Sequence, residues 1–126
     1  KIVLGAILRL KENNSTNAVR LKMDTYSDIR KGNQPIGASA GCIFKNPENS
    51  YAGLLIDKYG LKGYSIGGAK VSETHANFII NNDKSSSDDV INLINHIRRK
   101  VKEESGVILE PEVQLLGEDW NNILND

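Results

Sequence analysis

The sequence predicts an α+β domain of two layers, with a mixed or antiparallel sheet packed against helices. Three observations carry this. Segments of strand length and segments of helical periodicity follow one another irregularly, not in the repeating strand-helix order of a doubly wound fold. A glycine-studded stretch between Leu61 and Ile80 reads as a hairpin, which makes neighbouring strands antiparallel. At 126 residues the chain is one domain's worth of material, enough to bury a core without disulfide or metal staples.

Ile2 to Leu10 is dense in apolar side chains, β-branched at its start, and reads as a mostly buried strand. The polar run Lys11 to Ser15 ends it. Ser15 or Thr16 can cap a helix whose Val19, Met23, Tyr26 and Ile29 share one face, with Gly32 as its stop. Small and rigid residues from Gln34 to Gly41 suit a loop whose backbone comes close to something, and a short strand follows at Cys42 to Phe44. After a turn at Pro47 and Asn49, Ala52, Leu55, Ile56 and Tyr59 line a helix closed by Gly60. Turns and short strands fill Leu61 to Glu73, and Asn77 to Ile80 is a strand. The longest helix runs from Ser87 to Ser105, with Val90, Ile91, Leu93, Ile94, Ile97 and Val101 as a broad apolar stripe and Gly106 as C-cap. Val107 to Leu116 returns as a strand interrupted by Pro111, and the tail beyond Gly117 is polar apart from Trp120, Ile123 and Leu124.

Sixteen basic and sixteen acidic residues balance, so no broad positive field attracts nucleic acid or an anionic membrane. Neither partner is expected, and an anionic ligand has to be met by a local site. The opening apolar run is too short to cross a bilayer and lacks a signal-peptide pattern. The single Cys42 has no intrachain partner, and no Cys/His cluster has zinc-ligand spacing. A reducing, cytoplasmic setting and no metal site are expected.

Chemistry can sit in three places. From Ser39 to Pro47, small residues precede Cys42, Lys45 and Asn46; backbone N–H groups could turn toward a phosphate or carboxylate there, with Lys45 completing the neutralisation. The same residues also fit a turn with a surface lysine and a small buried cysteine. Gly67-Gly68 lacks the third spaced glycine of a dinucleotide fingerprint, and a β turn explains it at least as well as a nucleotide loop. Glu110 and Glu112 flank Pro111 on one side of an extended segment, either as a solvated edge or with one carboxylate serving as acid or base. His96, inside the long helix, reads as structural, whereas His75, just before a strand, could face a pocket.

The ordered series Gly41-Cys42-Ile43-Phe44-Lys45-Asn46-Pro47, Ala52-Gly53-Leu54-Leu55-Ile56-Asp57, Gly60 to Ala69, Val71 to Phe78 and Leu109-Glu110-Pro111-Glu112-Val113 resembles the C-terminal, substrate-binding domain of the MurB family, the UDP-N-acetylenolpyruvoylglucosamine reductases. The resemblance covers about Lys31 to Gly117. It implies a flavoenzyme of peptidoglycan synthesis in which NADPH reduces FAD, and hydride then passes to the enolpyruvyl methylene carbon of UDP-N-acetylglucosamine enolpyruvate. It implies too that Cys42 stands where the family usually has its proton-donating serine, and that Glu112 helps to stabilise the enolate. A thiol, with a reference pKa of about 8.5, is mostly protonated at neutral pH and can give up a proton, so the exchange is compatible with chemistry. By the same likeness Asn46 and His75 meet the substrate, and a cation among Arg30, Lys31 and Lys45 meets its diphosphate.

In that family FAD is held mainly by an N-terminal region. Residues 1–11 are similar to the last strand of that region, so the chain is expected to be a fragment, inactive alone, and able to self-associate through an unpaired first strand. No residue of this chain is assigned to the flavin. The rival reading is a noncatalytic module that binds a UDP-sugar or small anion, which would have no need of a thiol facing an acid.

Overall fold

The computed structural model describes residues 2–12 and 15–124. Its sheet has four strands, β1 (Ser39–Cys42), β2 (Ser65–Ile66), β3 (Ala69–Val71) and β4 (Phe78–Asn81), in the order β1-β4-β3-β2 with every pair antiparallel. The helices are α1 (Thr16–Asn33), α2 (Ala52–Lys58), α3 (Ser87–Ser105) and α4 (Trp120–Ile123). This is the two-layer α+β class that the sequence predicts. The chain parts into two units, Lys1–Arg30 and Lys31–Asp126.

In the second unit the core lies between the sheet and α2 and α3. Leu93, Ile94, Ile97 and Val101 of α3 are buried against Ile43, Phe44, Ile56, Val71 and Leu109. Each such side chain contributes about 1.5–3 kcal/mol by leaving water. The predicted limits of α3 hold at both ends. Ser86 accepts the Asp89 N–H while the Asp89 carboxylate accepts the Ser86 N–H, and Gly106 closes the helix at φ +72°. His96 does have a structural surrounding: its ring stacks on Tyr64 with centroids 4.4 Å apart.

Gly67 and Gly68 form the β2–β3 turn, and they are small because α3 begins against them. The Asp89 carboxylate accepts the Gly68 N–H at 3.3 Å, and a Cβ on Gly68 would overlap the Asp83 carbonyl oxygen. The backbone N–H groups of Ser86 and Gly68 hold the Asp89 carboxyl below the usual carboxylate range.

Strand β1 begins earlier than predicted and ends at Cys42. Ser39 faces Ile80 but Cys42 faces Phe78, so three steps on β1 oppose two on β4. The extra residue makes a bulge, and Gly41 takes it up at φ +84°, a conformation costly for any residue with a Cβ. Past the bulge the chain changes partner: Lys45 N–H donates to the Glu110 carbonyl and Glu112 N–H to the Ile43 carbonyl, at 2.9 and 2.7 Å. The expected strand Val107 to Leu116 is therefore reduced to one bridge, Phe44 with Pro111. Pro111 has no N–H to extend the ladder, and the Val113 carbonyl is taken by the Trp120 indole N–H at 2.7 Å.

In the first unit, Ile2 to Leu10 form no strand and their apolar side chains are exposed, which corrects the expectation of a buried strand. A strand exists only with a partner to accept and donate its ladder bonds. Helix α1 starts as predicted, with the Ser15 hydroxyl accepting the Ala18 N–H at 3.3 Å. It runs through Gly32 to Asn33, because Pro35 disfavours helical geometry at Gln34 and supplies the stop that Gly32 was expected to give. Val19, Met23, Tyr26 and Ile29 are all exposed.

Candidate functional site

A cavity of about 450 Å³ opens where the β1 bulge, the start of α2 and the turn before β4 meet. Cys42 and Glu112 both line it, as do Asn46 and His75, so four residues picked from the sequence share one hollow. They are brought together by the partner change after the bulge. Cys42 is the last residue of β1, and Glu112 is hydrogen-bonded through its backbone to the residue after it.

Cys42 is exposed, yet the cavity wall takes part of the solvent from its sulfur. That desolvation pushes the thiol pKa up, and the negative charge of Glu112 adds to the shift. Both causes favour S–H over thiolate.

Asn46 closes one side of the cavity by capping α2, its side-chain oxygen accepting the Ala52 N–H at 3.0 Å. Tyr51, which precedes the helix, makes no such side-chain bond, so the cap comes from five residues upstream of it. His75 is held in a tight turn: its N–H and that of Thr74 donate to the buried Ser72 hydroxyl, and its Nδ1 accepts the Asn77 N–H at 3.2 Å. An accepting Nδ1 carries no proton, which leaves Nε2–H as the donor of the ring. Gly53 of α2 makes room for that ring, since a Cβ there would come within 3.2 Å of His75 Cε1.

Lys45 is ion-paired with Glu110 and lines an adjoining depression with Glu112 and Trp120, not the cavity that holds Cys42. Arg30 and Lys31 are exposed on α1. Lys62, which the sequence reading passed over, lines the Cys42 cavity, where it pairs with Asp57 at 2.7 Å. The signal was the turn Gly60-Leu61-Lys62-Gly63: both glycines have positive φ, and the turned chain carries Lys62 to the cavity rim. Being partly exposed, the Lys62–Asp57 pair contributes at most about 1 kcal/mol to stability, so it can exchange partners with an anionic ligand at little cost.

Among the described residues no group of three or more His, Cys, Asp or Glu could hold a metal ion, and no helix is long and apolar enough to cross a membrane.

Comparison with known proteins matches residues 33–116 to the family model described as UDP-N-acetylenolpyruvoylglucosamine reductase, C-terminal domain. Among curated relatives, the UDP-N-acetylenolpyruvoylglucosamine reductase of Caldanaerobacter subterraneus subsp. tengcongensis is 49% identical over 118 residues, 93% of this chain and 39% of the relative. That of Bacillus subtilis is 41% identical, over 92% of this chain and 38% of the relative. Among solved structures, the reductase (MurB) of Thermus caldophilus superposes with a TM-score of 0.65 at 40% identity, covering 82% of this chain and 36% of that one. The chain thus spans about two fifths of the length of the relatives it matches. On these matches, and on a fold and cavity built from the same motifs, the chain belongs to the UDP-N-acetylenolpyruvoylglucosamine reductase family, as its C-terminal domain.

Proposed function

We propose that this chain forms the substrate side of a flavoenzyme of peptidoglycan synthesis in the cytoplasm, one that reduces UDP-N-acetylglucosamine enolpyruvate to UDP-N-acetylmuramate with FAD and NADPH. The observation that supports it most is the pairing of a thiol kept protonated with a carboxylate in one cavity. A module that only held a UDP-sugar would need cations and hydrogen-bond donors, but no such acid pair.

The Gly67-Gly68 turn does not fit a flavin phosphate. It is filled by the Asp89 carboxylate, which consumes the Gly68 N–H that a flavin phosphate would need. When bound elsewhere in the enzyme, reduced FAD would supply the hydride for the methylene carbon of the enolpyruvyl group.

What this chain contributes is binding and one proton. Lys62 turns from Asp57 to the diphosphate, while His75 offers Nε2–H to a substrate oxygen. The S–H bond of Cys42 breaks, its proton passes to the carbon bearing the substrate carboxylate, and the electron pair stays on Sγ as a thiolate that solvent reprotonates. The raised pKa keeps the donor form populated at neutral pH, and a carbanion is basic enough to take its proton. Desolvation and, to a lesser degree, the charge of Glu112 favour that form, and Glu112 orients the enolate through a water or a cation.

The test is a pair of half-reactions in the full-length enzyme that carries this chain. Cys42→Ala should leave flavin reduction by NADPH nearly unchanged and slow reoxidation by the enolpyruvyl substrate about a hundredfold to ten-thousandfold, the usual worth of a positioned acid. Cys42→Ser should retain substantial activity. Equal slowing of both half-reactions by Cys42→Ala, or of neither, would make Cys42 a packing residue.

A further inference from the structure

Asn77 is almost fully buried, and it is a polar side chain in an otherwise apolar layer. Burial of an amide is costly unless each of its groups is paired. Here the pairing is complete and all of it runs to the site. The Asn77 side-chain oxygen accepts the Phe44 N–H at 3.0 Å, and its Nδ2 donates to the Phe44 carbonyl at 2.8 Å. The side chain thus stands in for a strand residue that the bulge has removed from the ladder. The backbone of Asn77 completes the arrangement: its carbonyl accepts the Ile43 N–H at 2.9 Å, and its N–H donates to His75 Nδ1 at 3.2 Å.

We infer that Asn77 is a positioning residue, a buried amide clamp that fixes the Cys42–Phe44 segment and the His75 ring to each other, and so holds the Cys42 thiol at the cavity wall. Asn77 borders the cavity, but its side-chain bonds run to the Phe44 backbone, so the clamp acts through its neighbours. Its catalytic meaning rests on the proton-donor reading of Cys42, but its physical effect does not, because the reactivity of the thiol reports it directly. Glu112, His75, Asp57, Lys62 and Tyr51 are the titratable groups that line the cavity with Cys42. Asn77→Ala leaves all five in place, so a change in thiol behaviour reports the lost clamp and not a lost charge.

The experiment follows the rate of Cys42 alkylation by iodoacetamide against pH in this 126-residue chain, for the native protein, Asn77→Ala and Val101→Ala. Val101 is fully buried in α3 and does not line the cavity, so its truncation destabilises the fold without touching the clamp. The clamp predicts that Asn77→Ala lets water reach the sulfur, moves the titration midpoint down toward that of an ordinary thiol, and raises the rate at pH 8 about threefold or more. Val101→Ala should leave the midpoint where it is. An unchanged midpoint in a folded Asn77→Ala chain, or an equal shift in Val101→Ala, would overturn the inference. If Asn77→Ala does not fold, the native chain decides: slow hydrogen exchange at the Asn77 side-chain amide and ¹⁵N shifts of a His75 Nε2–H tautomer support the clamp, and a freely exchanging amide overturns it. Should the thiol respond as expected while the Cys42→Ala half-reactions do not, the clamp stands and the proton-donor reading falls.

Discussion

The Cys42 thiol pKa is raised above its ordinary value because its solvent is partly removed and because Glu112 carries charge beside it, in that order of importance. The two causes can be separated. Glu112→Gln removes the second and leaves the first, so the thiol pKa should fall part of the way back toward its ordinary value. The sign follows from the charge: a carboxylate penalises the thiolate, and without it thiolate forms at lower pH. Iodoacetamide alkylation at pH 8 should therefore be faster in Glu112→Gln than in the native chain. A slower or equal rate would mean that Glu112 does not act on the thiol electrostatically. At this scale Cys42, Asn46, His75 and Glu112 were legible because each sits in a motif whose residue order resembles a known family. Lys62 and Asn77 were not, because what makes them matter is geometry. One is carried to the rim by two left-handed glycines, and the other is called in by a bulge.

Elements were readable where their signals are local. The capping box of α3 and the αL glycine after it lie within a few residues of the helix they bound, and both limits follow from the sequence. Strand β1 and the segment after Val107 depend on partners far along the chain, which composition does not name. The small residues Ser39, Ala40 and Gly41 looked like loop, yet they lie in β1, where Ser39 pairs with Ile80 of β4. The Gly67-Gly68 turn shows the reverse: its glycines are explained by close approach to α3, not by a nucleotide. Gly68→Ala should accordingly destabilise the fold by about 2–3 kcal/mol, in the range of forced overpacking, because the atoms a Cβ meets are the Asp83 carbonyl and, at 2.6 Å, the Ser85 nitrogen, and backbone cannot yield as a side-chain end can. Urea unfolding followed by circular dichroism measures this. A loss below about 0.5 kcal/mol, the usual range for a surface substitution, would show that the β2–β3 turn and the start of α3 are not packed as described.

For the molecule as a whole, the core that carries the site lies within residues 31–126, and the family match at 33–116 falls inside it. Ile2 to Leu10 misled because an apolar, β-branched run states a preference for a partner without supplying one. On the proposed function, the cavity of Cys42, Glu112, Lys62, Asn46 and His75 takes a UDP-N-acetylglucosamine derivative bearing an acidic side group. The direct measurement is a titration of the ¹⁵N-labelled chain with UDP-N-acetylglucosamine enolpyruvate, followed by amide shifts. Weak, saturable shifts are expected at Cys42, Asn46, Lys62, His75 and Glu112, and they should be lost in Lys62→Ala. No saturable shifts, or shifts confined to α3, would contradict it.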